Sequence, residues 1–161
     1  MNAASITEIK RELKELDEEA LVAHVLRLAR FKKDNKELLT YLLFEEKDEA
    51  SYIQMICEEI EDSFEEVNQH HIYYAKKGIR KILRNVTKYI RYSGKKQTEI
   101  EILIAFCRTM RDSGINFKRS TVLNNLYLNQ LKKINKALLA LHEDLRYDYE
   151  EAVSELTGPQ S

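Results

Sequence analysis

The chain reads as an all-α protein of six or seven mostly antiparallel helices, and three observations predict it. Four glycines and one proline in 161 residues leave few turns, so the segments between them are long. Good helix formers such as Leu, Glu, Lys and Ala fill those segments. Apolar residues recur three and four positions apart along most of the chain, the period of an amphipathic helix. With 43% hydrophobic and 33% charged residues the composition is that of a folded chain, long enough for one domain with its own core.

The elements follow in order. Ser5 and Glu8 have the spacing of a capping box and open a first helix through about Leu16. Asp17 caps a second, whose apolar positions Leu21, Val22, Val25, Leu26, Leu28 and Ala29 share a helical period. Asp34 and Glu37 repeat the capping-box spacing and start a third helix through Leu38, Leu39, Leu42 and Leu43. Short connections fold these helices back on one another, so residues 1–46 read as a semi-independent cap on a single helical domain of residues 1–156.

Asp48 opens a fourth helix with Ile53, Ile56, Cys57, Ile60, Phe64 and Val67 as its core stripe. A break at Asn68 to His71 separates it from a fifth, which runs to about Tyr92 and closes on Gly94 as a left-handed C-cap. Gly78 lies inside that fifth helix at a cost of about 1 kcal/mol relative to Ala, which reads as a close helix–helix crossing or else as a helix that begins near Gly78 itself.

A sixth helix, near Gln97 to Ser113, is apolar almost all round (Ile100, Ile102, Leu103, Ile104, Phe106, Cys107 and Met110) and belongs at the centre of the core. Gly114 ends it, and Ile115 to Phe117 form an apolar clip. From Ser120 to about Leu156 neither Gly nor Pro interrupts the pattern. This predicts one long C-terminal helix of roughly 55 Å with a seam at Tyr127, Leu131, Ile134, Leu138, Leu141 and Leu145. Such a seam suits packing along its own domain or, because the distal half is acidic, an antiparallel homodimer. Residues 157–161 read as a disordered tail.

A net charge of −1 conceals two opposite blocks. Glu45 to Glu66 holds ten acids and one lysine, and Lys76 to Lys96 holds nine bases and no acid. Like charges in a run repel, so each block needs a counterpart in the chain or outside it. At about 100° per residue, Lys77, Lys81, Arg84, Lys88, Arg91 and Lys95 fall in one narrow stripe, opposite Ala75, Ile79, Ile82, Leu83, Val86 and Ile90. Tyr74 and Tyr92 flank it. A cation row bordered by aromatics can meet a carboxylate-rich protein surface, or track a phosphate backbone with Tyr92 as a stacking platform. It can also be neutralised by the acidic helix that precedes it.

His70, His71 and Glu66 are the weak candidates for a metal site. They match no H-E-x-x-H, no paired E-x-x-H and no cysteine pair at zinc spacing, and a polar turn explains them as well. No G-x-S-x-G or glycine-rich phosphate loop occurs, the carboxylates are spread along polar faces, and neither cysteine sits in electropositive surroundings. No cofactor is expected. Cys57 and Cys107 read as buried free thiols, which favours a reducing compartment. No N-terminal apolar run resembles a signal peptide, and the longest apolar stretch, Ile102 to Cys107, is far too short for a membrane span, so a soluble cytoplasmic protein is expected.

The expectation is a non-catalytic protein-interaction module that works through its charged helical surface and self-associates. Nucleic-acid binding through residues 76–96 is the alternative, and a metal-dependent helical enzyme using His70 and His71 the second.

Overall fold

The computed structural model describes residues 2–158. Among them there is no strand, and the elements are eight α-helices, one π-helical turn and one 3₁₀ turn. The all-α class is as the sequence predicts, with more helices than the six or seven expected. Internal contacts divide the chain into a unit up to Phe44 and a unit from Glu45 onward.

In the N-terminal unit, α1 (Ile6–Lys14) begins with the expected capping box. Ser5 N donates to Glu8 Oε2 at 2.8 Å and Glu8 N donates to Ser5 Oγ at 3.3 Å. These bonds satisfy donors left open by the first helical turn. Asp17 caps α2 (Glu18–Phe31) by accepting from Ala20 N at 2.7 Å. Helix α3 (Lys33–Thr40) starts one residue before the predicted cap: Lys32 is the N-cap, without a side-chain hydrogen bond, and Asp34 sits inside the first turn. With only Lys32 between α2 and α3, the chain has no room for a cap at Asp34. Asn35 Nδ2 instead bridges back to the Leu28 carbonyl at 2.8 Å. A π-helical turn follows at Tyr41–Glu45. No residue of α1, α2 or α3 is buried.

The second unit is built around α6 (Lys96–Asp112), which packs against α4 (Glu49–Glu65), α5 (Ile72–Ser93), α7 (Thr121–Leu139) and α8 (Glu143–Thr157). All seven apolar residues singled out on α6 are buried. Phe106 meets Phe64 of α4 with ring centroids 5.6 Å apart. Ile115 and Phe117 are buried as the expected clip, and Phe117, in the 3₁₀ turn Phe117–Arg119, lies 4.9 Å from the Tyr127 ring. Gly94 closes α5 at φ 67°, a conformation that favours glycine. Gly78 lies within α5, and a Cβ there would meet Val67 Cγ2 at 3.2 Å. The close neighbour is therefore the turn after α4 rather than a crossing helix.

The single long C-terminal helix is not present. The chain breaks at Ala140–His142 and α8 packs back against α6 and α7. No Gly or Pro signals this turn. Arg146 takes over the open carbonyls, donating from Nε to Leu141 O at 2.9 Å and from Nη2 to Leu139 O at 3.0 Å. Glu143 and Asp144 then fall in the first turn of α8, where the helix dipole favours acids. Tyr127 Oη donates to Leu156 O at 2.9 Å, Tyr149 Oη donates to Glu101 at 2.6 Å, and Arg111 donates to Glu155 O. Of the proposed seam, Tyr127, Leu131 and Ile134 are buried, while Leu145 is exposed. The seam ends with α7. Of the expected 157–161 tail, Thr157 is the last residue of α8 and residues 159–161 lie outside the described residues.

Candidate interaction surface

Helix α5 presents its charge outward because Ala75, Ile79, Ile82 and Val86 take its inner side into the core. Lys77, Lys81, Arg84 and Arg91 are all exposed. Among the described residues none of these four forms an ion pair. Arg80, at the edge of the stripe, is exposed and equally without an ion pair among them. The row is therefore largely open rather than neutralised by α4. Lys88 is half-buried.

Two members of the predicted stripe behave differently. Lys95 lies beyond the end of α5, as the N-cap residue of α6, and its Nζ sits 2.6 Å from Glu49 Oε2. Tyr92 is half-buried, its ring inclined to that of Tyr89 with centroids 6.3 Å apart, so it is less open than a stacking platform on the stripe's edge would be. The exposed aromatics stand at the other end of the row. Tyr73 and Tyr74 are 70% and 57% exposed, meet edge to face at 5.4 Å, and Tyr74 also touches the His71 ring. Tyr73 precedes Lys77 by four residues and thus lies on the same helical face, a spacing legible in the sequence once the start of α5 is placed at Ile72.

The surface extends past α5. Arg91, Lys96, Lys133 and Lys136 line a shallow groove of about 260 Å³ bounded by α5, α6 and α7, in which Glu99 is the lone acid and pairs with Lys96 at 2.7 Å. The sequence signal was present: Ser113 to His142 holds five bases and no acid.

Acids border the basic row without covering it. Glu66, the C-cap of α4, is exposed on that side, whereas the exposed Glu61 and Glu65 line another groove with Arg108 of α6. Glu66 lines a groove of about 320 Å³ together with Tyr74 and Lys81. Glu59 is half-buried and accepts from Tyr89 Oη at 2.9 Å.

Among the described residues no group of three or more His, Cys, Asp or Glu stands together as metal ligands would. Asn68 Oδ1 accepts from the backbone N–H groups of His70 and His71 at 3.0 and 3.1 Å, so these histidines form an Asx-stabilised turn. Cys107 is buried, and burial pushes its thiol up to about 12. Cys57 is half-buried rather than fully enclosed, and its thiol is raised by burial and by Glu101, Glu61 and Glu58. Both are held as neutral thiols, the opposite of an activated nucleophile.

No helix among the described residues is long and apolar enough to cross a membrane. Comparison with protein-family models, curated proteins and solved structures finds no match to this chain.

Proposed function

We propose that this chain is a non-catalytic helical interaction module whose α5 face docks an acidic surface of a partner protein. One observation carries the reading: Lys77, Arg80, Lys81, Arg84 and Arg91 are exposed on one helix and make no ion pair among the described residues. Five cations held side by side repel one another, and an external carboxylate surface relieves that repulsion. Exposed Glu66, beside Lys81, favours a protein of matching mixed charge, since like charges facing a polyanion exact a penalty. Tyr73 and Tyr74 supply the amphipathic aromatic anchors found at protein interfaces. Self-association has no continuous C-terminal seam to use, and is read from the molecular mass in solution.

A second reading is nucleic-acid binding, favoured by the same two exposed tyrosines beside a cation row that continues toward Lys133 and Lys136. Immobilised full chain and its Lys81→Glu/Arg84→Glu variant, incubated in nuclease-treated native extract, separate the two. Proteins retained by the first and lost by the second support the protein reading. Capture that disappears with nuclease, together with salt-steep binding of labelled DNA or RNA, moves the assignment to nucleic acid.

A further inference from the structure

A different surface belongs to the N-terminal unit, and we infer that it is a second docking site, one that receives an acidic amphipathic helix of a partner protein. The α2–α3 hairpin and the π-helical turn after it enclose an open groove of about 590 Å³. Its floor is apolar, with Leu26, Leu39, Leu43 and Phe44. Of these, Leu26, Leu43 and Phe44 are 43%, 56% and 71% exposed. Around the floor stand Arg30, Lys32, Lys33 and Lys36, and no acid lines the groove. Lys33 pairs with Glu37 at 3.3 Å, whereas Arg30, Lys32 and Lys36 have no ion-pair partner among the described residues.

A helical hairpin that buries none of its own residues leaves most of its apolar surface in water. The concave shape suits the apolar ridge of a third helix, the helix-in-groove mode of recognition. The sign of the rim selects the occupant. A second copy of this hairpin would bring four cations against four, which is repulsive, whereas a helix carrying Glu or Asp beside its apolar face pairs with them. The π-helical turn places Leu43 and Phe44 at one end of the groove, and such turns recur at functional sites. This site shares no residue with the α5 face, so either can fail without the other.

The test titrates full-length protein with two labelled peptides of about five helical turns, each with leucine on one face. One carries glutamate on its other face and one carries lysine. The inference expects saturable binding of the glutamate peptide, at least about tenfold tighter than the lysine peptide. Arg30→Glu/Lys36→Glu should reverse that preference. Leu43→Ser/Phe44→Ser should lose both peptides while circular dichroism shows the fold retained, because these side chains are exposed. Lys81→Glu/Arg84→Glu should leave the peptide affinity unchanged. Equal affinity for the two peptides, or no binding by either, overturns the inference. So does a dimer that Leu43→Ser/Phe44→Ser dissociates, or binding to phosphatidylserine vesicles without peptide binding.

Discussion

Lys95 Nζ lies 2.6 Å from Glu49 Oε2, joining the far end of the basic segment to the first turn of the acidic helix. Glu49 also accepts from Ser93 Oγ at 2.5 Å and Thr98 Oγ1 at 2.6 Å, so one half-buried carboxylate ties α4 to both α5 and α6. The charges of this chain thus divide into two kinds. Glu49 serves the fold, and the outer cations of α5 face the surroundings.

Stability should separate those two kinds. Glu49→Ala leaves the Thr98 hydroxyl, at a residue only 1% exposed, without its acceptor, and is expected to cost about 2 kcal/mol. Lys81→Glu/Arg84→Glu alters exposed side chains with no ion-pair partner among the described residues and should stay within about 0.5 kcal/mol of the parent chain. Urea denaturation with a common slope measures both.

Gln130 offers a change in the opposite direction. It is 3% exposed on α7; its Nε2 donates to Leu126 O, but Oε1 has no partner among the described residues. Gln130→Met keeps the length of the side chain and removes the buried orphan acceptor. A gain of about 1 kcal/mol is expected from the shift in urea midpoint.

The fold was legible where periodicity and caps speak locally. Ser5, Asp17 and Asp48 announce three helices by chemistry confined to a few residues, and the apolar run of α6 announces its central place. The turn at Ala140–His142 was not legible, because its cause is distributed. Arg146 reaches back to two carbonyls, and the folded-back position of α8 depends on Tyr127, Glu101 and Arg111, all far away in sequence. On the candidate surface, a helical wheel put Lys77, Lys81, Arg84 and Arg91 on an exposed face, but it included the half-buried Lys88 and left out the exposed Arg80. It misplaced Lys95, which lies past the end of the helix, and chose Tyr92 over Tyr73 because orientation was known but neighbours were not.

Gly78 and Val67 should behave as a coupled pair. In Gly78→Ala the helix gains about 1 kcal/mol of intrinsic preference, which the 3.2 Å approach to Val67 Cγ2 offsets. In a Val67→Ala background the obstacle is gone. A double-mutant cycle should therefore show Gly78→Ala more stabilising in that background than in the parent chain. Additive effects would mean that the contact does not constrain this turn.

Alkaline pH should weaken the second unit. The Cys107 thiol rises from an ordinary 9.0 to about 12 through burial, and the Tyr127 hydroxyl rises from 10.0 to about 12, again chiefly through burial. Below about pH 9 both groups are protonated in the folded and unfolded chain alike. Between 9 and 12 the unfolded chain releases these protons first, so stability falls as pH rises through that window. Urea midpoints across the range give the slope, and Cys107→Ala should reduce it. With a thiol-specific disulfide reagent at neutral pH, Cys107 should react only as fast as the protein unfolds.

The most direct measurement of the central claim is photo-cross-linking from the basic row itself. A photoreactive residue replaces Thr87, exposed between Arg84 and Arg91, and the full chain is irradiated in nuclease-treated native extract. The account expects discrete protein adducts that weaken with salt and vanish when Lys81→Glu/Arg84→Glu is added. Adducts that persist unchanged in that variant, or a row that yields no protein adduct at all, would contradict the assignment of α5 as the docking face.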